Sequence, residues 1–326
     1  MTRHSATSRA CSNIAFIKYW GNRDDQLRIP VNGSLSMNLA GLTTTTTVSF
    51  DPGLAHDEVI IGGERVSGSA AQRVSTFLDH VRREAQQTDL FARVVSENNF
   101  PMGAGIASSA SAFAALALAG SQAIGLGLSQ RELSALARLG SGSASRSVPG
   151  GFVEWHGGNS HSTSYAETFA AVDHWELVDL IAIVSRKHKE TGSTEGHSIA
   201  ATSPYQTARV AGAPARISRC KQAILDRNFK VFAEVVEEDS TLMHTVMMTG
   251  RPALFYWQPT TLAIMEAVRG WRASGISVCY TIDAGANVHC IVQSPDVETV
   301  RIELAKIAGV SEVLTAEVGG AAGWVE

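Results

Sequence analysis

The sequence predicts a mixed α/β protein with two successive units, and three observations carry that expectation. Segments with the two-residue period of strands alternate with segments of helical period. The texture changes after residues 177–185, from short strands and glycine-rich turns to long helical patterns. The 326 residues, 44% hydrophobic and 18% charged, supply enough core for one large or two medium domains.

Taken in order, SNIAFIKYWGNRD (12–24) begins as an apolar strand and ends in a charged turn. TTTTTVSF (43–50) and FARVVSE (91–97) are rich in β-branched residues and read as strands, the threonine run as an edge or half-exposed one. Between them, AAQRVSTFLDHVRRE (70–84) spaces its apolar residues as an amphipathic helix does. Residues 108–124 are apolar nearly all round, which predicts a buried helix. Ser129 and Glu132 form a capping-box signature for a helix ending near Gly140. GGFVEWHGG (150–158) returns to strand, and LVDLIAIVS (177–185) has the continuous apolar run of a buried one. Helical patterns cover 208–226, 229–242 and 260–273. SVCYTID (277–283) and VHCIVQ (288–293) read as paired strands, and a last helix covers 296–307. A soft boundary between units falls within 164–175.

Composition excludes several partners. The 27 basic and 31 acidic side chains are interspersed, with net charge −4, so no basic block exists to neutralise a nucleic acid. The four cysteines, Cys11, Cys220, Cys279 and Cys290, form no CxxC pair and read as free thiols in a reducing compartment. MTRHSATSRACSN has no apolar signal core, and the apolar stretch within 112–119 is too short to span a bilayer. The expectation is a soluble, cytoplasmic protein without membrane partners. His156 and His161 match no metal-ligand spacing.

Four segments can carry chemistry. In FPMGAGIASSAS (100–111), Gly103, Ala104 and Gly105 leave backbone N–H groups unobstructed just before a helix, where the dipole favours a phosphate; a tight turn explains the same residues. No GxxxxGK occurs, and Ser108 stands where GxGxxG would place its third glycine. GSGSASRS (140–147) offers four serines and Arg146, a set suited to an oxyanion and equally to a flexible loop. In TIDAGANVH (281–289), Asp283 follows a strand and is either a turn former or a carboxylate that takes a proton from a substrate hydroxyl. In SNIAFIKYWGNRD, Lys18, Tyr19 and Trp20 stand where the strand leaves the core.

In this order the segments resemble the diphosphomevalonate decarboxylases of the GHMP kinase superfamily: NIAFIKYWG, SENNFPMGAGIASSAS, GSGSASRSVPGGFVEW and TIDAGANVH. NGSLSMNL (32–39) and KETGSTEGH (189–197) look like further family segments, so the similarity runs from about Cys11 to His289. The resemblance implies an N-terminal GHMP kinase ATP-binding domain with a left-handed crossover, residues 1–170, and a C-terminal ferredoxin-like domain, residues 171–326. It implies an ATP- and Mg2+-dependent decarboxylation of a phosphorylated mevalonate, and a homodimer. Matched residue by residue, Asp283, Arg146 and Lys18 are the catalytic set. Asn13, Tyr19, Asn22, Ser141, Gly142 and Ser143 contact substrate, with Asn13, Lys18 and Tyr19 as strand-end residues of the cleft. Pro101, Gly103, Ala104, Gly105, Ala107, Ser108 and Ser109 hold the ATP phosphates, and Ser108 stands near the metal.

One position departs from the pattern. The diphosphomevalonate enzymes read KYWGK, and their second lysine contacts the diphosphate; here it is Asn22. Losing a charge-assisted hydrogen bond costs about 1.5–3 kcal/mol, roughly ten- to a hundred-fold in affinity. The expectation from Asn22 is therefore 5-phosphomevalonate as substrate, giving isopentenyl phosphate, unless Arg23 or Arg73 compensates. The alternatives are 5-diphosphomevalonate, and a superfamily kinase that phosphorylates and stops.

Overall fold

The computed structural model describes residues 4–100, 108–187 and 192–325. Strand β1 (His4–Ile17) pairs antiparallel with β4 (Ser34–Phe50), from His4↔Phe50 to Ile17↔Leu35. Register slips at Cys11/Ser12 and Ala15/Ile17 interrupt the pairing. Between the two strands, β2 (Asn22–Asp24) and β3 (Ile29–Pro30) form a small hairpin. The later half of β4 pairs with β7 (Ala92–Asn98), and its earlier half with β8 (Phe152–Trp155), which carries β9 (Ala166–Ala170). Beyond β7 lie β5 (Glu58–Ile61), the parallel neighbour, and β6 (Glu64–Arg65); α1 (Gly68–Glu84) returns the chain from them to β7. The C-terminal β14 (Gly323–Trp324) comes back to the free side of β1.

The threonine run is half-exposed, with Thr44 and Thr46 buried between partly exposed Thr43, Thr45 and Thr47, but it is not an edge. It lies inside the sheet, bonded on one side to β1 and on the other to β7. The hydroxyl of Thr44 meets Asn98 and Ser111 at 2.6 Å, and that of Thr46 meets Ser96 at 2.9 Å. Hydroxyls satisfied in this way occupy a covered face without an unpaired polar atom, which composition alone does not reveal.

Helices α2 (Ser108–Ala123) and α3 (Gln130–Gly140) cover this sheet together with α1. The alanines of α2 let its backbone approach closely enough for Ser8 to donate to the Ala115 carbonyl at 2.6 Å. Ser129 and Glu132 form the expected capping box. α3 stops at Gly140, where a Cβ would fall 2.0 Å from the Phe113 ring.

The second sheet holds β10 (Leu177–Ile183), β11 (Val278–Thr281), β12 (Val288–Gln293) and β13 (Glu312–Glu317), ordered β11-β12-β10-β13 and antiparallel throughout. That order, with α8 (Val297–Lys306) between β12 and β13, is ferredoxin-like. Its first crossover is enlarged to α4 (Ser193–Ile199), α5 (Gln206–Leu225), α6 (Phe229–Thr249) and α7 (Pro259–Ala273). α6 outruns the pattern expected over 229–242, because Met243, Val246 and Met247 continue its buried face against Trp20, Ile199 and Leu254. One apolar cluster spans both sheets, joining Ile14, Phe16 and Met37 to Leu177, Ile181 and Phe232. This cluster fixes the end of β1 against α6 and the second sheet. No helix of the described residues is long and apolar enough to cross a membrane.

Candidate active site

β1 delivers the first group. Ile14, Phe16 and Ile17 are fully buried, so the strand ends inside the protein, and the Lys18 side chain that follows is only 1% exposed. Its backbone is fixed from both sides. The amide donates to Asp239 Oδ2 on α6 at 2.6 Å. The carbonyl accepts from Arg209 Nη2 on α5 at 2.7 Å and from Asn32 Nδ2 at 3.0 Å. Asp239 is neutralised by Arg216 Nε at 2.7 Å. Held in this way, Lys18 Nζ donates to Asp283 Oδ1 at 2.6 Å.

Asp283 stands in the turn after β11, and the turn is clamped at both ends. The Ile282 amide donates to Ser240 Oγ at 3.0 Å. On the far side, Thr261 Oγ1 donates to the Ala286 carbonyl at 2.7 Å, and Asn287 Oδ1 accepts from the amides of Val184 and Ser185 at 2.7 and 2.9 Å. The Asp283 side chain is 26% exposed, so of the ion pair the carboxylate is the member a ligand can reach.

Burial alone would raise the Asp283 pKa. The Lys18 ammonium, with help from His289 and Arg146, outweighs it and holds the carboxyl below its usual range. Burial likewise pushes Lys18 down, opposed chiefly by Asp283. Behind them His289 Nδ1 meets Asp179 Oδ2 at 2.6 Å, both residues being buried.

Arg146 lies in the 3-10 turn Gly142–Ser147 and is 3% exposed. Its Nε and Nη2 donate to Asn13 Oδ1 at 3.2 and 3.1 Å, and its Nη1 to Ser34 Oγ at 2.8 Å. A guanidinium has five N–H donors, so one N–H on each terminal nitrogen remains uncommitted among the described residues. Burial pushes its pKa down to about 10, with Asp283 the leading opposing influence. Asp283 and Arg146 therefore share one electrostatic neighbourhood, although they are far apart in the chain. Asn13 is not a strand-end residue. It sits inside β1 opposite Asn38, 1% exposed, because its amide is needed there to hold Arg146 and, through Nδ2, Ser147 Oγ at 2.7 Å.

The serine turn adjoins the start of α2. Ser141 Oγ lies 3.1 Å from Ser109 Oγ and 3.3 Å from Ser143 Oγ. Gly142 packs against Tyr19, and a Cβ there would fall 2.5 Å from the ring. Tyr19 also stacks on His197 at 4.0 Å, and its hydroxyl donates to Asn22 Oδ1. Asn22 spends its amide nitrogen on Asp25 at 2.8 Å. Of the residues expected to hold the ATP phosphates, Ser108 and Ser109 open α2, while Pro101, Gly103, Ala104, Gly105 and Ala107 lie outside the described residues.

A cavity of about 310 Å³ lies beside this turn, lined by Arg28, Arg73, Ser69, Gln72, His80 and Gly140 among others. Arg73 Nη2 donates to the Gly140 carbonyl at 2.8 Å, with its guanidinium over the Phe113 ring at 4.6 Å. Arg23 is exposed and, among the described residues, reaches the Gly158 carbonyl at 3.4 Å. Sequence reasoning missed Asp239, Arg209 and His197, whose bonds to the Lys18–Gly21 backbone span more than a hundred residues and leave no local signal, and Arg216, which enters only as the partner of Asp239. It also missed Arg28, which lies in the same hairpin as Asn22 and whose place at the cavity only the fold reveals.

The comparisons agree with one another. A family model described as the diphosphomevalonate decarboxylase-like N-terminal domain matches residues 10–166, and one for the mevalonate 5-diphosphate decarboxylase C-terminal domain matches 179–321. The chain is 38% identical to diphosphomevalonate decarboxylase mvd1 of Aspergillus fumigatus, covering 94% of this chain and 81% of the relative. It is 37% identical to the phosphomevalonate decarboxylase of Haloferax volcanii, covering 87% of each. Among solved structures, MDDEF in complex with MVAPP, AMPPCP and magnesium superposes with a TM-score of 0.94 at 36% identity, covering 100% of both chains.

Proposed function

The chain belongs to the diphosphomevalonate decarboxylase family, and from that premise we propose that it is an ATP-dependent carboxy-lyase acting on 5-diphosphomevalonate. The products are isopentenyl diphosphate, carbon dioxide, ADP and phosphate. The observation that carries this reading is the Asp283 carboxylate, a quarter exposed and held 2.6 Å from Lys18 within the influence of Arg146.

A tertiary hydroxyl is a weak nucleophile and a poor leaving group. Asp283, ionised at neutral pH, accepts the hydroxyl's hydrogen bond and so aims its oxygen. With so low a proton affinity it takes the proton only as that oxygen bonds to phosphorus. Lys18 keeps the carboxylate charged and still. The two uncommitted N–H groups of Arg146 suit one carboxylate in a fork. When the tertiary phosphate departs, the bond to the carboxylate carbon supplies the electron pair of the new double bond, and carbon dioxide leaves.

ATP and magnesium are the partners of this reading, as the MDDEF complex with AMPPCP and magnesium supports. The start of α2 fits a phosphate chain: it opens a 16-residue helix, has no acidic residue in its first turn, and is joined to the serine turn through Ser109. Ser108 would serve the metal. No group of three or more His, Cys, Asp or Glu among the described residues could hold a metal ion. Bound at the start of α2, magnesium supplies charge neutralisation of the triphosphate.

The preference for the diphosphate reverses the expectation drawn from Asn22. The fungal relatives and the MVAPP complex support it, and the cationic cavity beside Gly140 offers the charge that Asn22 lacks. The second reading, 5-phosphomevalonate, keeps the uncharged Asn22 and the Haloferax volcanii relative in its favour. Initial rates with each substrate at saturating ATP, following carbon dioxide and ADP together, test both. The proposal expects equal amounts of the two products and a higher kcat/KM for the diphosphate. Preference for the monophosphate favours the second reading, and ADP without carbon dioxide contradicts both.

A further inference from the structure

The hairpin that carries Asn22 also carries Arg28, and Arg28 is placed where an anion is wanting. Its Nε donates to the Leu139 carbonyl at 3.0 Å, while Arg73 holds the carbonyl of Gly140, the next residue. Two guanidiniums thus hang on consecutive carbonyls at the entry to Ser141, lining one cavity of about 310 Å³. Neither has a carboxylate within ion-pair distance among the described residues, and each makes a single hydrogen bond, leaving most of its donors uncommitted. The two repel: burial first, then the Arg28 charge, pushes Arg73 down to about 10. Like charges side by side in a cavity are destabilising until a counter-charge arrives. The backbone points the same way. Arg28 has φ 49°, a left-handed conformation that asparagine or glycine adopts more cheaply, so an arginine is kept there at a conformational cost. Tyr19, whose hydroxyl donates to Asn22, is influenced by the charge of Arg28, which opposes the effect of burial on it.

We infer that Arg28 is a specificity-determining residue, the cation that receives the terminal phosphate of the substrate's 5-diphosphate in place of a charge at position 22. The inference rests on the proposed decarboxylase reading. The anchoring charge then sits in the turn of the hairpin, bonded beside Arg73 to the two carbonyls that precede Ser141.

The test is steady-state kinetics of the full chain with 5-diphosphomevalonate and 5-phosphomevalonate at saturating ATP and magnesium. The variants are Arg28→Gln, Arg28→Lys, and Arg28→Gln combined with Asn22→Lys. Arg28→Gln is expected to raise KM for the diphosphate about 10- to 100-fold, with a several-fold smaller rise for the monophosphate and most of kcat kept. Arg28→Lys keeps KM within about fivefold, and Asn22→Lys restores at least tenfold of what Arg28→Gln loses. An Arg28→Gln enzyme with wild-type KM for the diphosphate overturns the role of Arg28 while leaving the decarboxylase reading standing. A loss equal for both substrates, not rescued by Asn22→Lys, also overturns it. Wild-type protein that releases no carbon dioxide from either substrate removes the reading itself.

Discussion

Around Asp283, buried charges come in opposite-sign pairs: Lys18 with Asp283, Arg216 with Asp239, His289 with Asp179. Beside Gly140, Arg28 and Arg73 share a cavity with carbonyl oxygens as their hydrogen-bond partners. In the first region those three pairs are balanced before any ligand enters, so their side chains are already fixed and little reorganisation is left for the reaction, while Arg146 beside them keeps two N–H groups for a ligand. The second carries excess positive charge that only an anionic ligand relieves. Chemistry and anchoring therefore draw on different electrostatics within one site. Disturbing a balanced pair costs rate or fold stability, whereas disturbing the cationic end costs affinity.

That contrast orders the expected effects. Asp283→Asn removes the ionised acceptor but keeps the shape. It is expected to lower kcat about a thousand-fold, within the range for a positioned general base, with KM changed less than about threefold. Initial rates of carbon dioxide release measure it. Asp239→Ala strips the partner from buried Arg216 and the acceptor from the Lys18 amide. Leaving a buried charge uncompensated costs about 3–5 kcal/mol, to be read from urea unfolding, and full stability would show that the pair is dispensable. Gly142→Ala drives a methyl toward the Tyr19 ring 2.5 Å away. Overpacking of this kind costs about 1–3 kcal/mol, and a raised substrate KM should accompany it, since Tyr19 and the serine turn move together.

The smallest effect is in pH dependence. Burial would lower the His289 pKa, but the Asp179 carboxylate outweighs it, aided by Asp283 and opposed by Lys18, so His289 is raised above 6.5. A raised folded-state pKa means stability that is fully present below the unfolded value and lost as pH rises through the folded one. The urea midpoint of the wild type should therefore decline as pH rises above 6.5. In the Asp179→Asn/His289→Gln double variant it should be flatter over the same window. An equal slope in both would assign the decline to other groups.

The legibility of the sequence follows the range of each interaction. LVDLIAIVS revealed a buried strand because burial on both faces writes a continuous apolar run, and β10 is buried at every residue. The capping box at Ser129 is visible because its partners are three residues apart. The threonine run showed a half-exposed strand, which it is, but not that the strand is interior, because its partners Asn98 and Ser111 come from other elements. Asp283 and Arg146 were each visible as chemistry with a bland alternative, a turn former or a flexible loop, between which the family motifs decided; that Lys18 reaches Asp283 across 265 positions is a product of the fold. Asn22 drew attention to a missing charge, yet the compensating Arg28 needed the path of the β2–β3 hairpin to be seen.

Every role proposed for Asp283 requires an ionised carboxylate sustained by Lys18. The direct measurement is its own titration, followed by 13C NMR of aspartate carboxyl carbons in the wild type and identified by the resonance missing from Asp283→Asn. The account predicts a carboxylate shift that stays constant down to the usual aspartate value of 3.8. A titration with its midpoint between about pH 5 and 8, a carboxyl raised by burial instead of lowered by its partner, would contradict it.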